Sequence, residues 1–394
     1  MTDLVARRRD FPALATRVHG KRLAYLDSAA TALRPQTVID AMVRAAQLGA
    51  PSRSVHVLAE QATMLIETAR ADVARFLGGR TDEIIFTSGT TASINLVASA
   101  WGRAQLAAGD AVIVSELEHH SNLVPWQMIC AERGAELRIA PVDNAGRIDF
   151  DRVSFDRVKL VAVAHVSNVT GTIAPIAELA RRAHSAGALL LVDGAQAVAH
   201  LPVDVARLGC DFYAFSAHKL YGPTGTGVLW ARDSVLAALP PWQGGGGMIR
   251  NVGATSSTYR DGPARFEAGT PNVIGIAGLA AAVAYVRAIG DVRADDAHAH
   301  GGLVAAVRAA GGRILGEPEL AVVAFELPRV HAHDVATLAD GEGVALRSGH
   351  HCAAPLHTRF GITASSRVSV GCYTGADDIA QLAAALAKVR EVFP

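Results

Sequence analysis

At 394 residues the chain is longer than one ordinary hydrophobic core supports, which sets an expectation of two domains. Lys+Arg and Asp+Glu are 37 each, so no net basic field favours nucleic acid and no Lys/Arg cluster reads as a membrane address. Four cysteines (Cys130, Cys210, Cys352 and Cys372) stand far apart without a Cys-x-x-Cys pair, which argues against a disulfide framework or zinc knuckle and fits a reducing cytoplasm.

In chain order, Arg7-Arg8-Arg9 leads into Asp10-Phe11-Pro12, where a secretory signal would need an apolar stretch. No run reaches the roughly 18 apolar residues of a membrane span. Short apolar runs follow at Ile84-Ile85-Phe86, Ala111-Val112-Ile113-Val114, Leu137-Arg138-Ile139-Ala140, Leu160-Val161-Ala162-Val163-Ala164, Leu189-Leu190-Leu191-Val192 and Phe212-Tyr213-Ala214-Phe215. They are mostly non-alternating, as strands buried on both faces should be. Amphipathic stretches such as residues 92–104 and 176–186 lie between them, so the pattern predicts a mainly parallel α/β sheet with helices on both faces. Residues 225–230 read as a further strand running against the others. Beyond Gly244-Gly245-Gly246-Gly247 the alternation breaks, and a helical stretch over 274–289 connects into a smaller α+β unit. The expected division is an arm over 1–20, a large unit over 21–275 and a small C-terminal unit over 276–394 carrying Cys352.

In open parallel sheets ligands sit at the carboxyl ends of the strands, so the polar residues that close each run are the candidates. After Phe86 comes Thr87-Ser88-Gly89-Thr90-Thr91 and then a helix, which aims free N–H groups and the helix dipole at an anion such as phosphate. A Ser/Thr N-cap explains the same residues. After Val192 comes Asp193-Gly194-Ala195-Gln196, a rim carboxylate or an ordinary turn. His165-Val166-Ser167-Asn168 and Glu118-His119-His120-Ser121-Asn122 close two more runs. After Phe215 comes Ser216-Ala217-His218-Lys219, with Gly222, Gly225 and Gly227 behind it. By itself Lys219 reads as an exposed loop lysine. In company with the other rim residues it suits Schiff-base chemistry with a phosphorylated aldehyde. Pyridoxal phosphate needs a lysine, an acid against its pyridine nitrogen, phosphate donors and a flat group over one face. Lys219, Asp193, the Thr90-Thr91 turn with Ser216 and His218, and His119 fill those needs in that order, with Gln196 available for the ring hydroxyl.

These residues resemble the class V aminotransferase-like enzymes of pyridoxal phosphate fold type I, and among them the SufS-like, group II cysteine desulfurases. The resemblance is carried along nearly the whole chain by Tyr25-Leu26-Asp27-Ser28-Ala29-Ala30, Gly89-Thr90-Thr91, Glu118-His119-His120, Val166-Ser167-Asn168-Val169, Asp193-Gly194-Ala195-Gln196, His218-Lys219-Leu220-Tyr221-Gly222-Pro223, Phe266-Glu267-Ala268-Gly269-Thr270-Pro271-Asn272 and Arg347-Ser348-Gly349-His350-His351-Cys352. It implies that Lys219 holds pyridoxal 5'-phosphate and takes the substrate α-proton, that His119 stacks on the ring, and that Thr270 reaches the phosphate of the neighbouring subunit in a homodimer. It implies further that Arg367, with Asn168, holds the carboxylate of L-cysteine, and that Cys352 takes its sulfur as a persulfide while alanine departs. A protein sulfur acceptor of the SufE or SufU type follows from the same likeness.

Cys352 separates a desulfurase from a generic relative. Arg347, His350 and His351 stand beside it in sequence as cations or potential cations that favour thiolate; a buried small hydrophobe is the plain alternative. Adjacent His350, His351 and Cys352 on a short loop are a poor set for one metal ion, so no metal is expected. Arg367 suits a planar carboxylate through its fork, or serves as a surface ion-pair partner. The chain departs from the family pattern at Ser52-Arg53-Ser54, at Gly371-Cys372-Tyr373-Thr374 and in a short stretch over 289–320, places that bear on the sulfur acceptor more than on the cofactor. Selenocysteine lyase, cysteine sulfinate desulfinase, another C–S lyase or epimerase, a transaminase and a silent scaffold are the competing readings.

Overall fold

Along the strands of the large sheet other than the edge strand Glu136–Ala140, neighbouring residues bury into opposite cores. Ile84 and Phe86 pack with Ile113, Val161, Val163, Leu190 and Phe215 on one face, whereas Ile85 packs with Val112, Val114, Leu160, Leu191 and Ala214 on the other. That two-sided burial is why the sequence shows unbroken apolar runs. The computed structural model describes residues 4–51, 55–291 and 293–394. Ser52-Arg53-Ser54, one of the departures noted above, lies outside the described residues.

The strands of this sheet are β1 (Ile84–Thr87), β2 (Ala111–Ser115), β3 (Glu136–Ala140), β4 (Val158–Ala164), β5 (Leu189–Asp193), β6 (Phe212–Ser216) and β7 (Gly227–Ala231), in spatial order β1-β7-β6-β5-β4-β2-β3. β7 runs antiparallel to both β1 and β6, as its sequence position suggested, and the remaining pairs are parallel. Reversal brings Gly227, the first residue of β7, opposite Thr87 and Ser216, the last residues of its neighbours. A Cβ on Gly227 would lie 2.4 Å from the Gly89 Cα, so only glycine lets this strand begin against the turn after β1.

Helix α1 (Thr90–Val97) leaves that turn, and helix α2 (Val273–Ile289) packs on the helices Gln36–Ala45 and Val57–Leu77 before leading into the second unit. There β8 (Arg313–Ile314), β9 (Val322–Glu326), β10 (Arg347–Gly349) and β11 (Ser365–Ser369) form an antiparallel sheet in order β8-β9-β11-β10. Residues near the chain start, assigned to the large unit on sequence grounds, join this smaller one. Ala24 and Tyr25 pair in parallel with Val344 and Ala345, and Ala24 and Leu26 are buried in its core. The reason is hydrophobic: this short segment has no place in the seven-stranded sheet and covers apolar surface beside the C-terminal helix Ala376–Val392. Among the described residues no helix is long and apolar enough to cross a membrane.

Candidate active site

A cleft of about 180 Å³ opens at the carboxyl rim of the large sheet, lined from both units by Thr90, Thr91, His119, Asn168, Asp193, Ser216, His218, Lys219, Arg347, Cys352 and Arg367, with Ser121 and His351 among the others. The topology gathers them because β1, β2, β4, β5 and β6 all end at this rim. Antiparallel β10 and β11 supply the arginines opposite.

At the turn after β1, the Thr90 N–H donates to Ser216 Oγ at 2.8 Å and the two hydroxyls lie 2.7 Å apart. The first turn of α1 therefore presents hydroxyls and backbone N–H groups together, an arrangement suited to an anion. Asp193 closes β5 and is buried. Its Oδ1 accepts the Ala195 N–H at 2.9 Å, while no hydrogen bond to Oδ2 occurs among the described residues. Burial raises its pKa, opposed by the Lys219 charge and the Ala195 N–H. Lys219 sits on the short turn Ala217–Lys219 that follows β6. Burial lowers its amine to about 8, with Asp193 pulling upward and Arg367 downward.

His119 is pushed down to about 3, first by burial and then by the nearby Lys219, His120 and Arg367 charges. Its Nδ1 accepts the Ser121 N–H at 3.1 Å and also meets the Ser121 hydroxyl, which leaves the proton of the neutral ring on Nε2. Ser121, two residues after His119, carries no signal of its own in the sequence. Glu118 lies beneath, its carboxyl raised to about 8 by burial. It accepts the Ala164 N–H at 3.1 Å and the Asn122 amide at 2.6 Å, so it ties the His119 turn to the end of β4. His218 is lowered to about 4, mainly by burial.

Cys352 is the exposed cysteine; Cys130, Cys210 and Cys372 are buried. His351 and Cys352 both adopt left-handed backbone, with φ of 50° and 57°. Two bonds of 2.7 Å fix this turn: the His120 N–H donates to the Cys352 carbonyl, and Asn168 Nδ2 donates to the His351 carbonyl. His351 is not the cation expected beside the thiol. It is buried and bonded through Nε2 to the Ser365 carbonyl at 3.1 Å, and burial with the Arg367 charge lowers it to about 2, so its ring is neutral. The fixed cations that share the cleft with Cys352 are Arg347 and Arg367.

Arg367 is buried in the middle of β11. Its Nη1 donates to the Asn168 carbonyl at 3.0 Å and its Nη2 to Asp27 at 3.2 Å. Gln196 does not line the cleft: its Nε2 donates to the Ala29 carbonyl at 2.8 Å, which turns that donor toward the backbone of the N-terminal segment. Thr270 is also elsewhere. It lines a separate cavity of about 1170 Å³ with Gly246, Gly247, Arg70 and Glu267.

The chain matches the class-V aminotransferase family over residues 24–382 and belongs to it. Within that class it belongs with the cysteine desulfurases. It is 47% identical to a cysteine desulfurase of Klebsiella pneumoniae, with 100% of both chains covered, and 46% identical to one of Dickeya dadantii, covering 98% of this chain and 96% of the other. Among solved structures, the cysteine desulfurase CsdA of Escherichia coli, in an S-sulfonic acid form, superposes with a TM-score of 0.92 at 38% identity, over 100% of this chain and 99% of that one. The apo cysteine desulfurase of Thermococcus onnurineus NA1 gives 0.92 at 34% identity over 98% of each.

Proposed function

We propose that this protein is a pyridoxal 5'-phosphate-dependent cysteine desulfurase that moves the sulfur of L-cysteine onto Cys352 and releases alanine. The observation that carries the reading is one cleft lined by both Lys219 and the exposed Cys352, with a buried arginine beside them. The residues present fit the cofactor: Asp193 has an oxygen without a partner among the described residues, and the turn after β1 offers paired hydroxyls at a helix start. Lys219 would hold the aldehyde, Asp193 the pyridine nitrogen, Thr90, Thr91, Ser216 and His218 the phosphate, and His119 one ring face. Thr270 would reach the phosphate of a second subunit. Asn168 would stand near the ring, and Gln196, with its Nε2 held by the Ala29 carbonyl, would reach the ring hydroxyl only through its Oε1.

When bound, pyridoxal phosphate ties an amino acid through its nitrogen and withdraws electrons from the α- and β-carbons. Arg367 receives the substrate carboxylate, with Asn168 and Arg347 alongside. Lys219, an amine lowered to about 8, takes the α-proton near neutral pH. The Cys352 thiolate attacks the substrate sulfur, so the S–S bond forms as the C–S bond breaks. The electron pair stays on the β-carbon, which takes up a proton as alanine leaves. His119 carries an Nε2 proton beside the departing sulfur. The persulfide on Cys352 then passes to an acceptor protein of the SufE or SufU type, in a homodimer working in the cytoplasm, to supply cluster or thio-cofactor assembly.

The test compares wild type, Lys219→Ala and Cys352→Ala with L-cysteine and a reductant, reading alanine and protein-bound persulfide. Lys219→Ala should lose alanine release by about a thousandfold. Cys352→Ala should form no persulfide, and sulfur delivery by that variant at the wild-type rate would show the assigned role to be wrong.

A further inference from the structure

His119 and His120 are neighbours in sequence, but only His119 lines the cleft. His120 serves the turn that carries Cys352 instead. Its backbone N–H donates to the Cys352 carbonyl at 2.7 Å, and its Nε2 accepts the Ala354 N–H at 3.1 Å. Ala354 opens the short helix Ala354–Arg359, a position whose N–H has no partner within the helix. A backbone N–H can only donate, so Nε2 is the bare nitrogen of the His120 ring. One residue thus grips the chain at the carbonyl of Cys352 and again two residues on.

The grip falls on backbone that resists its own conformation. His351 and Cys352 hold φ of 50° and 57°, a left-handed pair that residues bearing a Cβ adopt at a cost of roughly 1–2 kcal/mol each. Such strain persists only where surrounding contacts over-determine it. Asn168 holds the turn before Cys352, through the His351 carbonyl, and His120 holds it after. His120 is itself firmly mounted: the Asn122 N–H donates to the His119 carbonyl at 2.8 Å and the Leu123 N–H to the His120 carbonyl at 3.2 Å. Asn122 Nδ2 donates to buried Glu118, which also takes the Ala164 N–H at the end of β4. The place of Cys352 is therefore set by the same turn that carries His119.

We infer that His120 is a positioning residue for sulfur transfer, fixing the Cys352 backbone from which the thiol reaches into the cleft. The inference rests on the desulfurase reading. In that reaction the S–S bond forms as the substrate C–S bond breaks and its electron pair passes to the β-carbon, so the attacking sulfur has to lie in line with the bond it breaks. An offset of about 1 Å costs up to roughly a hundredfold in such a step. Binding of the amino acid does not depend on that alignment.

The experiment compares wild type, His120→Ala and His120→Gln holoenzymes. Titration with L-alanine, followed by cofactor absorbance, reads amino-acid binding. Single-turnover mixing with L-cysteine reads persulfide on Cys352 by mass spectrometry, and hydrogen exchange over the helix Ala354–Arg359 reads the tether itself. His120→Ala should exchange the Ala354 amide about tenfold faster and form persulfide about tenfold more slowly, with L-alanine affinity unchanged. His120→Gln, whose Oε1 takes the place of Nε2, should return both rates toward wild type, which general damage to the fold would not allow. Should His120→Ala fail to fold, His120→Asn, its acceptor too short to reach Ala354, must show the same two effects. Unchanged exchange, or a wild-type persulfide rate, in the folded variants overturns the inference, as does an equal loss of L-alanine affinity. Absence of persulfide and alanine with wild type would instead overturn the desulfurase reading, while hydrogen exchange still judges the grip of His120 on the Cys352 turn.

Discussion

Lys219 is an amine whose burial and neighbours bring it within reach of neutral pH. Protein stripped of cofactor should therefore recombine with pyridoxal phosphate faster as pH rises from 6, with the rate levelling above about 8, the value at which the amine becomes mostly neutral. Absorbance change on mixing reads this directly. A rate that keeps rising to pH 10 would mean that the amine is not depressed. Placement at this scale was legible where a residue closes a strand, as Asp193 does, or stands on the turn just after one, as Lys219 does, because a parallel sheet sends every strand end to one rim. Protonation and orientation were not. His351 is neutral because the fold buries its ring against Ser365, and the Gln196 donor is taken by Ala29, a partner 167 positions away. Asp27 shows the same limit, since its ion pairs span 320 and 340 positions.

Between elements, the decisive contact is the approach of β7 to the turn after β1. Gly227→Ala would force a Cβ to within 2.4 Å of the Gly89 Cα, and backbone cannot yield there as a flexible side chain would. The variant should lose about 1–3 kcal/mol of stability. It should also retain less cofactor than wild type, read as a lower Tm together with a lower cofactor-to-protein absorbance ratio. Normal cofactor content with wild-type Tm would show that the strand start can shift freely. The elements themselves were plain in the sequence. Each apolar run became a strand, extended by a residue or two at its ends, and in all but the edge strand at 136–140 two-sided burial accounts for the unbroken signature. The short Ala24–Tyr25 strand was not, since two residues carry no periodicity and its partner lies at 344–345.

At the scale of the whole molecule, Thr270 stands on a broad cavity apart from the Lys219 cleft, so a phosphate contact by Thr270 would have to be made in a second subunit. We expect wild type to sediment as a dimer. Thr270→Ala should leave that state unchanged while weakening pyridoxal phosphate retention by about tenfold, the value of one lost phosphate hydrogen bond. Retention equal to wild type would remove Thr270 from the phosphate site. The turn bearing Cys352 has a further bearing on how sulfur leaves the molecule. Under the proposed function its thiol would collect sulfur in the cleft, give it up at the surface and return in register. The tethers to His120 and Asn168, with the Ala354 N–H on His120 Nε2 and the His351 ring on Ser365, mean that swinging the turn as a body would break four hydrogen bonds. Rotation of the Cys352 side chain on a fixed backbone is therefore the less costly way to turn the thiol.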